Sequence, residues 1–381
     1  VFKGALIFGR ELLATRWSLA LIFTLGGLFL QGNEAMSSMQ LSGIFVMCGL
    51  GLVPLAKMLS EIVDAMVERL GARLGGLASI CLGNLVELIV SFTALASGLY
   101  NLVVVSIVGA VITNCLLVLG FSTIVAGRKR PTFSIHPHAT SLQSQQLIIS
   151  AIFFALPTVF YKFGKPHTDG SSTFDSFALY SVIASIIILA YYILSYVYQA
   201  RTAKSLYMNQ SETEAVNEEK ISKESGAKNY TLASILIVLA LVSFALVGVS
   251  DNLVNSLEQM VKVNNISSIF VGLFLLPIFG AFSEGLIGIK AALNNKMDLA
   301  LAISVESSAQ LMLFVLPILV LVGLPMGRYL HLTVPNTALF CVGATVMAVR
   351  WTTENHKLSW YEGLLLVTLY VVMALGVLLL H

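Results

Sequence analysis

The sequence predicts an all-α polytopic membrane protein with eleven transmembrane helices: a peripheral first helix, then two inverted five-helix repeats. Three observations predict it. Long apolar runs alternate with short polar breaks, basic residues fall on one side of the alternation, and the two halves of the chain match each other at a fixed displacement.

The apolar runs come first. Of 381 residues, 57% are hydrophobic and 11% charged, where a soluble domain carries about 25% charged residues, so lipid is the solvent for most of this chain. A net charge of +2 excludes a dominant electrostatic role on nucleic acid. A helix needs about 20 mostly apolar residues to cross a bilayer. Scanning for such runs gives eleven, at residues 17–31, 41–55, 76–98, 102–126, 147–161, 177–198, 232–249, 266–293, 299–324, 333–349 and 360–380. The basic stretch with Lys3, Arg10 and Arg16 lacks a small-residue cleavage site, so the first spans are expected to direct the chain to the membrane. Cys48, Cys81, Cys115 and Cys341 have neither redox nor metal-ligand spacing and are expected to be buried thiols.

Charge placement orients the spans. With the N-terminus in the cytoplasm, only Lys162, Lys165, Lys262 and Arg328 of the 22 basic residues lie outside, as the positive-inside rule expects. The domain division that follows is 1–40 (amphipathic segment and first helix), 41–200 (first repeat), 201–229 (cytoplasmic linker) and 230–381 (second repeat). The linker interleaves Glu212, Glu214, Glu218, Glu219 and Glu224 with lysines. It reads as a solvated connection, with a regulatory cation-sensing helix as the alternative.

The repeat rests on a displacement of 197 residues, which carries Gly75 onto Gly272, Gly83 onto Gly280, Glu87 onto Glu284 and Ala94 onto Ala291. Leu116, Val118 and Leu119 fall on Leu313, Val315 and Leu316. The displacement spans five helices, an odd number, so the copies run in opposite directions. Inverted repeats of this kind place a binding site near mid-membrane where they meet.

Glu87 and Glu284 are the residues such a site would use. An ionised carboxylate at mid-membrane costs roughly 2.5 kcal/mol or more, so intramembrane acids are rare and functional. Asn84 lies three residues before Glu87 and Ser91 four after it, on one helix face. Carboxylates, amides and hydroxyls suit a hard cation such as calcium, which takes about 6 to 8 oxygen ligands. Gly83, Gly280 and Pro277 are placed to interrupt helical bonding beside the acids, or to let helices pack closely. The fourth and ninth runs add Thr113, Asn114, Ser304, Ser307, Ser308 and Gln310. Glu306 shares a face with Gln310 and is either a third buried acid or the partner of Lys290 or Lys296. Burial favours a neutral carboxyl and a bound divalent cation the ionised one, so metal and protons compete for the same oxygens. The IHPH stretch, with His136 and His138, reads as loop, and neither a phosphate loop nor a nucleophile elbow occurs.

At these residues the chain resembles the calcium/proton exchanger (CAX) family of the calcium/cation antiporter superfamily. GGLASICLGNLVELIVSFTAL is similar to the family's signature around a Gly-Asn-x-x-Glu-Leu core, and GAVITNCLLVLG to the segment after it. NNKMDLALAISVESSAQLMLFVLP and SWYEG extend the likeness through the second half. The resemblance implies an antiporter exporting cytosolic Ca2+ for protons, with Glu87 and Glu284 as the central acids and Asn84, Asn114, Ser308 and Gln310 near the ion path. It implies no enzymatic activity and no resident cofactor; Ca2+ and H+ are cargo, with the acidic linker as a seat for regulatory calcium. Three positions depart from the family. GAFSEG has Ala281 and Gly285 where an asparagine and a histidine are usual, and Glu306 replaces a glycine. Glu306 is therefore expected to compensate in part as a metal ligand.

The rival readings are a sodium-driven or manganese-carrying exchanger of the same fold, a passive cation channel, and an intramembrane hydrolase using the paired acids. The expected partners are Ca2+, protons and the lipid bilayer, with homo-oligomerisation left open. The short N-terminal region favours a prokaryotic plasma membrane over a vacuolar one.

Overall fold

The computed structural model describes residues 20–30, 36–128, 130–163, 176–207, 231–264 and 267–380, together with Gly9. The N-terminal amphipathic segment and the acidic linker with Glu212 to Glu224 lie outside the described residues.

Apolar sequence in lipid must satisfy its backbone internally, which leaves the helix as the solution for each run. The chain forms α1 (Leu21–Phe29), α2 (Ser38–Leu82), α3 (Leu85–Ala96) and α4 (Tyr100–Ile112), and after a π turn α5 (Leu119–Gly127). Strand β1 (Thr132–Ser134) leads to α6 (Pro137–Phe163) and α7 (Ser176–Tyr207). The second half begins with α8 (Leu232–Asn264), then α9 (Ser268–Phe270), a π turn, α10 (Leu276–Gly280) and α11 (Phe282–Leu293). It continues with α12 (Met297–Gln310), a π turn, α13 (Leu316–Gly323), α14 (Asn336–Thr352), β2 (Lys357–Ser359) and α15 (Trp360–Leu380).

Among the described residues seven helices are long and apolar enough to cross a membrane, or eight if the bent pair Ser268–Gly280 and Phe282–Leu293 is one span. The difference from the eleven expected runs has local causes. The runs at 76–98 and 266–293 are broken at Gly83–Asn84 and at Ala281, α14 has 17 residues, and α1 has nine. Helix α2 covers two expected runs because it folds back on itself. A Cβ on Gly75 would lie 2.6 Å from the Val67 carbonyl oxygen, whereas a straight helix would hold residues eight apart about 12 Å from each other.

The helix Tyr100–Gly127 runs through the centre: its most apolar stretch is 94% buried, against 22% for Trp360–Leu379 at the periphery. Hydrophobicity gives helices no reason to associate in lipid, so close packing and hydrogen bonds hold the bundle together. Gly120 and Gly363 show the first. A Cβ on Gly120 would meet the Gly363 carbonyl oxygen at 2.9 Å, and one on Gly363 would meet the Gly120 oxygen at 2.7 Å, so α5 and α15 touch backbone to backbone. Tyr370 shows the second. Its hydroxyl donates to the Phe274 carbonyl at 3.2 Å and pairs with Thr113 Oγ1 at 3.4 Å, tying the π turn Thr113–Val118 to the π turn Val271–Leu275.

Helix α1 is peripheral. Phe29 is 82% exposed, while Thr24 donates to the Gly51 carbonyl at 2.9 Å and Asn252 to the Gly27 carbonyl at 2.8 Å, fixing α1 to α2 and α8. Strands β1 and β2 pair antiparallel, Phe133 opposite Leu358, and clip the segment after α5 to the segment before α15. Cys48, Cys115 and Cys341 are buried as expected, but Cys81 is exposed.

Candidate functional site

Both glutamates sit in the first turn of a half-length helix. A turn at Gly83–Asn84 ends α2, and Glu87 is the third residue of α3. Ala281 separates α10 from α11, which are bent 57° apart, and Glu284 is the third residue of α11. Helix N-termini leave backbone N–H groups unbonded and carry the positive end of the helix dipole, which stabilises an ionised carboxylate. Inside a membrane, where such charge is otherwise costly, these two breaks are the positions best able to hold it.

The second layer joins the two halves of the chain. Asn84 Nδ2 donates to Gln310 Oε1 at 2.8 Å. Ser307 Oγ lies 2.7 Å from Asn84 Oδ1 and 2.9 Å from Glu284 Oε1, and accepts from Asn114 Nδ2 at 3.5 Å. A serine hydroxyl has one proton, so it cannot donate to Asn84 and to an ionised Glu284 together. A proton on Glu284 resolves the conflict: the carboxyl donates to Ser307 and Ser307 to Asn84. When Glu284 is ionised, Ser307 turns to it and Asn84 Oδ1 is released. Two further acceptors, Glu284 Oε2 and Asn114 Oδ1, are buried without a hydrogen-bond partner. Buried oxygens in that condition are uncommon and call for a bound ion or water.

Glu87 and Glu284 line one cavity of about 180 Å³ with Ser60, Asp64, Gly83 and Ser283. On the other side of Glu87 a void of about 30 Å³ is bounded mainly by Leu52, Val90, Ile107 and Leu276. Gly280 borders the acid directly, since a Cβ there would lie 3.2 Å from Glu87 Oε1. The arrangement presents the two glutamates and the hydroxyls of Ser60 and Ser283 to one cavity, with the amides of Asn84 and Asn114 joined to Glu284 through Ser307, an oxygen set that suits a hard cation.

The family model described as sodium/calcium exchanger protein matches residues 41–201 and 234–379. The chain belongs to the sodium/calcium exchanger protein family. A Ca(2+)/H(+) antiporter of Aphanothece halophytica is 30% identical over 337 residues, covering 87% of this chain and 89% of the relative. The Ca(2+)/H(+) antiporter ChaA of Bacillus subtilis is 31% identical over 339 residues, covering 87% of this chain and 91% of the relative. Among solved structures, native YfkE superposes with a TM-score of 0.73 at 25% identity, covering 94% of this chain and 99% of that one. With these relatives and its long apolar helices, this member of the exchanger family is an integral membrane protein.

In this exchanger-family chain the structure gathers five of the residues read from the sequence: Glu87, Glu284, Asn84, Asn114 and Gln310. It does not bring Ser308 or Glu306 among them. Ser308 Oγ donates back to the Ser304 carbonyl at 2.6 Å and accepts from Cys115 Sγ at 3.3 Å, so its hydroxyl is spent within the packing of α12. Glu306 is not among the residues that line the cavity with Glu87 and Glu284 and makes no ion pair with Lys290 or Lys296 among the described residues. One residue and the other are neighbours of Ser307 in sequence but occupy different faces of α12, as 100° per residue requires. Ser307 is the hub that sequence reasoning missed. The available signal was its three-residue spacing from Gln310, which puts both on one face, and it could not be separated from Ser308 without knowing where Asn84 lies. Ala281 is buried and Gly285 has Val118 Cγ2 as the nearest neighbour to a built Cβ, at 3.6 Å. Neither supplies a ligand.

Proposed function

We propose that this chain is a secondary antiporter that exports cytosolic Ca2+ in exchange for protons, with Glu87 and Glu284 as the shared binding groups. The observation that carries the reading is the meeting of two helix N-termini, each bearing a glutamate, at one cavity, with the unpartnered oxygen Glu284 Oε2 on one of those acids and a second, Asn114 Oδ1, on the amide that bonds Ser307. Relatives bearing the name Ca(2+)/H(+) antiporter along most of the chain support the same cargo.

The geometry supplies the exchange. Two carboxylates balance the charge of one divalent cation, and the oxygens of Asn84, Ser307 and Asn114 extend the set toward the six to eight that calcium takes. When calcium leaves, the ionised pair is costly in a low-dielectric site, and protons neutralise it. Ser307 adapts to either state by turning its single hydroxyl proton between Glu284 and Asn84. Cation or proton, the groups that bind are the same, so the site returns loaded in both directions. Alternating access then makes the flows opposite.

Eleven spans with two inverted repeats and a cytoplasmic N-terminus complete the reading. The helix breaks at Gly83–Asn84 and Ala281 and the π turns Thr113–Val118 and Leu311–Val315 recur at the 197-residue displacement to within a residue or two, which supports it. The Bacillus subtilis relative supports a prokaryotic plasma membrane. A sodium-driven variant is the second reading, favoured by the missing amide and imidazole at Ala281 and Gly285.

Calcium-45 uptake into proteoliposomes with an imposed pH gradient tests the proposal. Uptake should follow the gradient, collapse with a protonophore, and vanish in Glu87→Gln and Glu284→Gln. Uptake that ignores the pH gradient but follows a sodium gradient would install the second reading, and uptake indifferent to both would indicate a channel.

A further inference from the structure

We propose that Ser60 and Asp64 line the route by which the divalent cation reaches the two glutamates, with Asp64 as the charged station that draws it in. The inference rests on the exchange reading above and assigns residues that lie outside the ligand set.

Ala56, Ser60 and Asp64 recur at intervals of four along α2 and form one stripe. All three line the cavity of about 180 Å³ whose inner wall is Glu87 and Glu284. The stripe thus extends from the acids to the exposed carboxylate of Asp64. Its surroundings leave that charge available. The neighbouring acid, Glu61, is held by Lys57 at 3.8 Å, whereas Asp64 makes no ion pair with a described residue. The space on the opposite side of Glu87 is small and mostly apolar: Leu52, Val90, Ile107 and Leu276, with Ser91 and Ser106, line a void of about 30 Å³, room for little more than one or two waters. Among the described residues the roomier and more polar way for a hydrated cation to the acids runs past Asp64 and Ser60. That way opens toward the end of α2 that carries Arg69, the side the basic residues assign to the cytoplasm. A fixed carboxylate in a low-dielectric cleft raises the local concentration of a divalent cation and speeds its arrival.

Initial rates of exchange against calcium concentration test the role of Asp64. Asp64→Asn should raise KM about three- to tenfold with kcat held within about twofold, because one charge is lost from the route and none from the site. Asp64→Glu, which keeps the charge, should restore KM. Independently, Ser60→Cys in a chain whose native Cys48, Cys81, Cys115 and Cys341 are replaced should react with a membrane-impermeant cationic thiol reagent applied from one side only. Saturating calcium should slow that reaction. If the wild type exchanges calcium for protons while Asp64→Asn leaves KM unchanged, or calcium leaves the labelling of Ser60→Cys unaffected, the route is refuted and the exchange reading stands. If Asp64→Asn and Asp64→Glu fail alike, Asp64 is structural and its assigned role is wrong. A wild type that moves no calcium under a pH gradient overturns both.

Discussion

Ser307 and Ser308 are adjacent, both carry a hydroxyl, and only one is predicted to matter for ion binding. Ser307→Ala removes the bond to Glu284 Oε1 at 2.9 Å and the bond to Asn84 Oδ1 at 2.7 Å. A hydrogen bond to an ionised group contributes about 1.5–3 kcal/mol and a neutral one about 1 kcal/mol. The charge-assisted form of the first exists only when Glu284 is ionised, the state that binds calcium; the protonated carboxyl donates to Ser307 through a neutral bond instead, so the loss weakens calcium binding relative to protonation by the difference, about 0.5–2 kcal/mol. At about 1.4 kcal/mol per factor of ten, KM for calcium should rise roughly 2- to 30-fold, and more steeply as the pH on the loading side falls. Ser308→Ala loses the bond to the Ser304 carbonyl, the longer one to the Val111 carbonyl at 3.5 Å and the Cys115 thiol contact. It should lower stability by about 1 kcal/mol and leave KM unchanged. The assay is the initial rate of pH-driven calcium-45 uptake across a calcium series at two pH values, with unfolding in detergent as the stability measure. Equal KM values for the two variants, or a larger effect at Ser308, would refute the assignment of faces on α12 and with it the network drawn around Glu284.

Three further predictions test the surroundings of the site. Glu306→Gln should leave KM for calcium within about twofold, since Glu306 does not line the cavity of Glu87 and Glu284; a large rise would restore it as a ligand that compensates for Ala281 and Gly285. Tyr370→Phe should lower stability by about 1–3 kcal/mol, because the buried Phe274 carbonyl loses its donor, and a melting temperature equal to wild type would show that the bridge between the π turns carries no weight. Gly363→Ala should lower stability by about 1–3 kcal/mol, because a Cβ 2.7 Å from the Gly120 carbonyl oxygen must push α15 off α5. A monodisperse variant with an unchanged melting temperature would contradict the backbone-to-backbone contact.

The helix breaks give the two glutamates a physical basis that their depth alone does not. Read as interior residues of continuous helices, Glu87 and Glu284 would face only the cost of charge in lipid. As third residues of α3 and α11 they lie where dipole and free N–H groups offset that cost. Gly83, Pro277 and Gly280 mark the breaks in the sequence, yet the same residues are equally suited to close packing, and Gly280 in fact does both: it precedes the Ala281 turn and lets Glu87 lie against its Cα.

The sequence by itself determined that this chain lives in a membrane, that its two halves echo one another, and that the echo carries Glu87 onto Glu284. Those conclusions depend on local composition, on hydropathy along the chain, and on self-similarity, all of which are one-dimensional properties. The sequence also marked the polar segment that holds Asn114, Ser307, Ser308 and Gln310. Only the tertiary structure decided which of these hydroxyls meets Asn84, which lies more than two hundred residues away, because a helix turns 100° per residue and the face it presents to a distant partner is set by packing. The same packing left Glu306 outside the lining of the cavity it was expected to join, folded α2 back near Gly75, and set Asp64 in that lining. A charge in a sequence has a position and a sign, but whether it faces an ion, a phenol or water depends on neighbours the sequence does not put beside it.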